Sequence, residues 1–357
     1  MSVIYDNKLL KYNLYLNNKI KQTIINLNIQ FKIYNLIKVI KILIYIFLNY
    51  LIKINLYLIK YKLNKFYTAP MYSFGDIFTS FVQNYKKVIN KRRKVLVLSN
   101  FEEKIANLFF PKNKIYKTFF HIPLFIPIYG INLKVKNLKK LPRTYKKNIT
   151  YKEKKILINI LKKNLKYVSP KVRKFKNQKY VLVFVKHYNN DINNLNIPFH
   201  RQTSNLIKVF DTINFLLKKK IKIIILGNKT DKFLKKVKEF SKNKNIFYFN
   251  ELSKKEKMID QLYIHNNCKF SIGTDCGAFI MSVFLKKKII FFDSILNTEG
   301  MNKLKNINFL YKKIKLKNKT TFLTKKYHKN ENIINKNSYK IIENSYSDIT
   351  KQIKKVI

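Results

Sequence analysis

The sequence predicts an α/β protein with two doubly wound parallel sheets in tandem, preceded by a helical extension. Three observations carry that prediction. Strand-length apolar runs recur without polar alternation, as in YVLVFVKH (180–187) and IKIIILG (221–227), the pattern of strands covered on both faces. Helix-length amphipathic stretches separate these runs, the rhythm of βαβ units. Gly227, Gly273 and Gly277, three of only six glycines in 357 residues, fall where an apolar run ends and the chain has to turn.

Residues 1–65 read as a basic, amphipathic helical extension. Within 31–60 the longest uncharged run, Ile42 to Ile52, is shorter than the roughly 20 apolar residues a bilayer span needs. At about 100° per residue, Lys38, Lys41, Asn49, Lys53 and Lys60 gather in an arc of about 120°, opposite a broad face of Ile, Leu, Phe and Tyr. That suits a helix lying in the interface of a membrane. A helix docked on the globular core, or a tilted span with snorkelling lysines, has the same pattern.

From residue 66 the strands begin. FYTAPMYS reads as a strand ending in a loop at Phe74, Gly75 and Asp76, followed by the helix IFTSFVQNYKKVI. KVLVLS (94–99) is a buried strand, and Asn100 caps a helix with Glu102 and Glu103 in its first turn. IYKTFFHIPLF supplies a further strand, so 66–135 form a small Rossmann-like domain. Residues 136–179, Lys-rich and holding Pro142 and Pro170 around one helical stretch, read as a connection. The second domain, 180–310, alternates more regularly. After the strand at 180–187 a loop runs to His200 and Arg201, and Thr203 or Ser204 caps the helix TSNLIKVFDTINFLLKKK. The strand closed by Gly227 follows, then helix DKFLKKVKEFSK, strand NIFYFN, helix KKEKMIDQLYIHNN, strand CKFSIG, helix AFIMSVFLKK and strand KIIFFD. Residues 311–357 read as a tail with a terminal helix.

Composition narrows the function classes. The formal net charge is +57, from 75 Lys and Arg against 18 Asp and Glu. Lys, Asn, Ile, Tyr and Phe dominate while Ala, Gly and Arg are scarce, as a strongly AT-biased coding sequence produces. Only Arg92, Arg93, Arg143, Arg173 and Arg201 carry the guanidinium on which direct nucleic-acid readout leans, and the lysines form no block, so no specific nucleic acid is expected. Cys268 and Cys276, eight residues apart with no second ligand pair, make neither a zinc site nor a disulfide framework, which fits a reducing cytosol. No metal and no cofactor is expected. No secretory leader pattern opens the chain.

The turn Ile272-Gly273-Thr274-Asp275-Cys276-Gly277 joins a strand to a helix, and ligands of open parallel sheets bind at such junctions. Gly273 lets the backbone turn, Gly277 lets a ligand approach, Thr274 offers a hydroxyl and the amides of 275–278 suit a phosphate. Asp275 repels an anion unless it caps the helix or meets a sugar hydroxyl. A tight turn that merely needs glycines has the same sequence.

The stretch CKFSIGTDCGAFIMSVFLKKKIIFFD resembles the nucleotide-sugar-binding turn of GT-B glycosyltransferases, and the C-terminal half resembles a bacterial family of them, distantly similar to heptosyltransferases. The likeness covers roughly 180–300 and, more weakly, 66–130. Its features fall on Lys186-His187, His200-Arg201-Gln202, Gly227 and the 272–277 turn. Lys186 stands where the family usually has Arg, Ile280 where heptosyltransferases carry His, and Asp76 after Gly75 replaces another polar residue. The resemblance implies two Rossmann-like domains facing a cleft. It also implies a metal-independent transfer from a nucleotide diphosphate sugar to a glycan or lipid-linked acceptor, at the inner face of the cell membrane. Gly75, Lys186, His187, Arg201, Gly227, Gly273, Thr274, Asp275 and Gly277 would then bind substrate, with Arg201 clamping the diphosphate and Asp76 as the base. A non-catalytic nucleotide-binding protein and a basic nucleic-acid-binding protein are the alternatives.

Overall fold

The computed structural model describes residues 65–68, 74–122, 139–140, 151–186, 203, 205–227, 236–239, 243–253, 257–296, 304–316, 319–324 and 339–357, with Phe47, Tyr50, Leu51, Ile54, Tyr57 and Leu58 ahead of them. The chain divides into two compact units, Met1–Arg143 and Thr144–Ile357. That division falls inside the stretch 136–179 expected to connect two domains.

The first unit is built on a four-stranded parallel sheet of order β3-β2-β1-β4, with β1 Phe66–Thr68, β2 Lys94–Ser99, β3 Ile115–Ile122 and β4 Lys139–Lys140. Helix α1 (Phe74–Asn90) connects β1 to β2, and α2 (Asn100–Phe109) connects β2 to β3. The core is aromatic. Phe78 meets Phe109 edge-on at 5.0 Å, and Phe81 meets Phe110 at 5.3 Å, geometries that add to plain area burial. Two local expectations are corrected. The loop expected at 74–76 is the first turn of α1, because Phe74 packs on Phe78 and Phe101 and so joins the helix. Ser99, not Asn100, caps α2: its hydroxyl accepts from the Glu102 amide at 3.2 Å.

The second unit holds a six-stranded parallel sheet of order β10-β9-β8-β5-β6-β7. Its strands are β5 Tyr180–Phe184, β6 Lys222–Ile225, β7 Ile246–Tyr248, β8 Phe270–Thr274, β9 Lys288–Ser294 and β10 Ile307–Tyr311. Val181, Val183, Ile223, Ile225, Phe270, Ile272, Ile290 and Phe292 turn one face of it into a continuous buried layer. Helices α3 (Tyr151–Lys163) and α4 (Pro170–Arg173) precede β5 and belong to this unit. Ser169 fixes them to α7 (Met258–Asn267) by giving its amide and its hydroxyl to the two oxygens of buried Asp260, at 2.7 and 2.6 Å.

Several boundaries differ from the sequence reading. Helix α5 spans Ile207–Lys218; Asn205 Oδ1 accepts the Ile207 amide at 2.9 Å, the Thr203 hydroxyl is given to Glu343 instead, and Ser204 lies outside the described residues. The strand read over 245–250 stops at Tyr248, where the short helix α6 (Phe249–Leu252) begins. The helix read over 278–287 is a 3-10 turn, Gly277–Phe279, followed by α8, Ile280–Phe284. In this glycine-poor chain, Lys220 beyond α5 and Lys286 beyond α8 adopt the left-handed conformation (φ 56° and 57°) where helices usually stop on glycine. The tail is more than a terminal helix. It adds a three-stranded antiparallel sheet, β12-β11-β13, from β11 Lys313–Leu316, β12 Lys319–Phe322 and β13 Tyr339–Ile342. Helix α9 (Tyr346–Lys354) follows, opened by a capping box between Ser345 and Asp348, and it buries Ile349 and Ile353 in the main core.

Candidate functional site

The strand order of the large sheet places its switch point between β5 and β8. From β5 the chain proceeds outward through β6 and β7, then returns to the other side of β5 for β8, β9 and β10. Connections on either side of such a point leave toward opposite faces of the sheet, and a crevice opens at the carboxyl ends of the two strands. Thr274 stands at that point. It is fully buried, and its Oγ1 accepts the amide of Lys186 at 2.8 Å, bonding the end of β8 to the end of β5. The Lys186 carbonyl in turn accepts the Thr203 amide at 2.9 Å.

Gly273 has a different role from the one expected. It lies within β8, paired with Phe184 of β5, and a Cβ there would lie 1.8 Å from the Phe184 carbonyl oxygen. The missing Cβ permits this strand-to-strand approach, and the turn itself begins at Asp275, after β8 has ended at Thr274. Gly227, as expected, stops the strand before it, with φ of 139°, a backbone state that side chains resist. Asp275 and Cys276 are largely buried, and Gly277 opens the 3-10 turn. Asp275 faces Tyr311 at the end of β10, whose hydroxyl is pushed above its usual pKa by burial and by that carboxylate. With only five α-helical residues after the turn, the helix dipole on offer is small. His187 and Arg201 lie outside the described residues.

Behind the turn a buried polar chain fixes β8 against α7 and α8. His265 Nδ1 lies 2.6 Å from Ser282 Oγ, and Ser282 Oγ lies 2.8 Å from Ser271 Oγ. Burial pushes the His265 pKa down to about 3, so the ring is neutral at ordinary pH. Both cysteines are free and buried, and burial pushes the Cys268 thiol up to about 11, so it is an inert core group. Among the described residues no cluster of His, Cys, Asp and Glu could hold a metal ion.

Beside the switch point, at the same edge, lies a cluster the sequence reading missed. Lys208 of α5 donates to Asp293 at 2.6 Å and to Glu343 at 2.9 Å; Lys312 lies 3.3 Å from the other Glu343 oxygen. The Thr203 hydroxyl (3.0 Å) and the Asn205 amide (3.4 Å) also donate to Glu343. Four donors from two separate chain segments, 203–208 and Lys312, thus converge on one carboxylate. Asp293, with φ of 52°, exchanges backbone and side-chain hydrogen bonds with Asn344, at 2.6 and 2.8 Å. Burial pushes the Asp293 carboxyl up and the Lys312 ammonium down, each against the pull of the opposite charges around it. Nothing local in the sequence marks these residues, because the partners are 85 and 135 positions apart.

In the first unit, Gly75 and Asp76 sit in the first turn of α1, next in the chain after β1. Glu103 pairs with Lys117 at 2.6 Å. Glu102 is fully buried: one oxygen accepts the Leu98 amide at 2.9 Å, and the other has no hydrogen-bond partner among the described residues. Burial raises its pKa to about 8, so it stays protonated at neutral pH and is walled off from any substrate. Glu102 is therefore no candidate for a catalytic base.

No protein-family model matches the sequence, and no curated protein is similar enough to match it. Among solved structures, the chain is similar to E. coli heptosyltransferase WaaC with ADP: 9% identity, TM-score 0.42, covering 82% of this chain and 99% of that one. It is also similar to a glycosyl transferase family 9 structure from Veillonella parvula, with 12% identity, TM-score 0.38, and 69% and 84% covered. A third is Methanocaldococcus jannaschii UDP-GlcNAc 2-epimerase in complex with UDP-GlcNAc and UDP, with 13% identity, TM-score 0.32, and 86% and 79% covered.

Proposed function

We propose that the protein is a glycosyltransferase that moves a sugar from a nucleotide diphosphate sugar to a glycan or lipid-linked acceptor, in surface polysaccharide synthesis at the cytoplasmic face of the cell membrane. The observation that carries this reading is the position of the 274–277 turn. The stretch that resembles a nucleotide-sugar turn lies at the switch point between β5 and β8, where an open parallel sheet offers its crevice. In this reading Thr274, Asp275 and Gly277 face the donor, Gly273 and Gly227 shape the strand ends, and Lys186, His187 and Arg201 line the donor side. Arg201 neutralises the departing diphosphate as the bond from the sugar's anomeric carbon breaks, in the role other transferases give to a metal. Gly75 shapes the acceptor side, where Asp76 takes the proton of the attacking hydroxyl.

The test is thermal unfolding in the presence of ADP-, UDP-, GDP- and CMP-sugars, since a ligand that binds only the folded state raises the transition by mass action. One nucleotide class should raise it, and the stabilising donor should then pass labelled sugar to an acceptor fraction with excess chelator present. No shift with any donor refutes nucleotide-sugar binding. A shift with donor turnover but no transfer points to a non-transferring nucleotide-sugar protein. A salt-dependent mobility shift with nucleic acid, and none of these effects, points to the polyanion-binding alternative.

A further inference from the structure

We infer that the helical residues Phe47, Tyr50, Ile54, Tyr57 and Leu58 form a docking surface for an anionic lipid bilayer. All five are helical and exposed, Phe47 at 61% and Tyr57 at 66%. They repeat at intervals of three and four, which at about 100° per residue gathers them, with half-buried Leu51, in one arc of about 120°. A single exposed apolar side chain needs no explanation, but a continuous stripe of aromatic and aliphatic groups does. Among the described residues of the first unit, Phe78, Phe81 and Phe109 are enclosed. The stripe is thus not the consequence of a core too loose to accept it.

Charge decides what covers the stripe. On the helical wheel of the sequence, Lys38, Lys41, Lys53 and Lys60 fall in the arc opposite it. An apolar sector of this width, rich in Phe and Tyr and backed by lysine, is the composition of a helix seated at the boundary of headgroups and acyl chains. A second copy of the chain fits less well. Pairing through this face would bring together two chains of formal charge +57, whereas anionic headgroups relieve that repulsion. A span is disfavoured by the short uncharged run, and among the described residues no helix is long and apolar enough to cross a membrane. The inference stands apart from sugar transfer: either holds without the other.

The protein has no tryptophan, so Phe47→Trp introduces a unique fluorophore into the stripe. With phosphatidylcholine vesicles holding roughly one-third phosphatidylglycerol, its emission should shift to the blue and be quenched by brominated acyl chains. In sedimentation with the same vesicles, the full chain should partition at least about ten-fold more strongly than onto phosphatidylcholine alone. The triple variant Phe47→Ser, Ile54→Ser, Leu58→Ser should lose on the order of 100-fold in partition while keeping its circular dichroism and its response to nucleotide sugars. Unshifted Trp emission, a wild-type protein left in the supernatant, or a Ser variant that binds like wild type overturns the inference. A dimer in analytical ultracentrifugation that the Ser variant abolishes, without vesicle binding by either protein, assigns the stripe to a second copy instead.

Discussion

Replacing Glu102 by Gln gives a stability change whose sign reverses the usual expectation for a carboxylate. In the folded protein the Glu102 carboxyl has a pKa of about 8; in the unfolded chain it returns to the ordinary value near 4.5. Between those values the unfolded state releases a proton that the folded state keeps, so the folded state binds more protons and stability falls as pH rises. The contribution is intact below pH 4.5 and is lost progressively up to about pH 8. At about 1.4 kcal/mol per pH unit, that interval is worth roughly 5 kcal/mol, an upper figure because a buried site relaxes when it ionises. Gln keeps an oxygen for the Leu98 amide and does not titrate. At about pH 5 the variant should lie within roughly 1 kcal/mol of wild type, whose own acid proton there has no partner either. At about pH 9 it should be the more stable by at least about 2 kcal/mol. Urea unfolding followed across that range measures both proteins, and subtracting the curves removes the shared background of lysines and histidines. Parallel curves would refute the claim that Glu102 is buried as a neutral acid.

Four further outcomes are expected. Gly273→Ala should destabilise the second unit by more than about 3 kcal/mol in urea, because the new methyl meets a backbone carbonyl that cannot move without parting β5 from β8. Lys208→Met should cost about 3–5 kcal/mol by stranding Asp293 and Glu343, and adding Asp293→Asn should restore part of the loss; additive losses would show that the pair does not interact. Lys286→Gly should stabilise the second unit by about 1 kcal/mol, as left-handed backbone strain is relieved, and no change in melting temperature would speak against strain there. Arg201→Ala should weaken nucleotide diphosphate binding by about 1.5–3 kcal/mol in calorimetry and leave nucleoside binding alone; equal losses would separate the residue from the diphosphate.

What the sequence made legible was what short-range physics writes into it. A buried parallel strand needs an uninterrupted apolar run, so β2, β5, β6, β8 and β9 stand out of the Lys-rich background. The strands β11 to β13 do not, since they are four residues long, β12 is mostly exposed and each carries lysine, as the rest of the chain does. The 272–277 turn was visible because glycine is scarce, yet the purpose of Gly273 was not, because the obstacle is the carbonyl of a residue 89 positions earlier in the chain. Lys208, Asp293, Lys312 and Glu343 illustrate the general limit. In a protein with 75 basic residues, the two buried among the described residues, Lys208 and Lys312, carry no sequence mark, and only the folded topology brings their counter-ions to them.

The joining of Lys208 to Glu343 also sets a clock on synthesis. The ammonium is made 135 residues before the carboxylate that accepts it, and Asp293, its other partner, comes 85 residues after it. At ribosomal speeds of about 5–20 residues per second, Lys208 waits on the order of ten seconds for Glu343. Until then, closing α5 onto the edge of the sheet would bury a charge without its full set of counter-ions, and that early closure is disfavoured. The strands β6 to β11 and the helices translated among them must therefore stay near an incompletely closed edge while the nascent chain lengthens. For that interval the newborn protein, more than any mature form, is the species a chaperone or a protease meets.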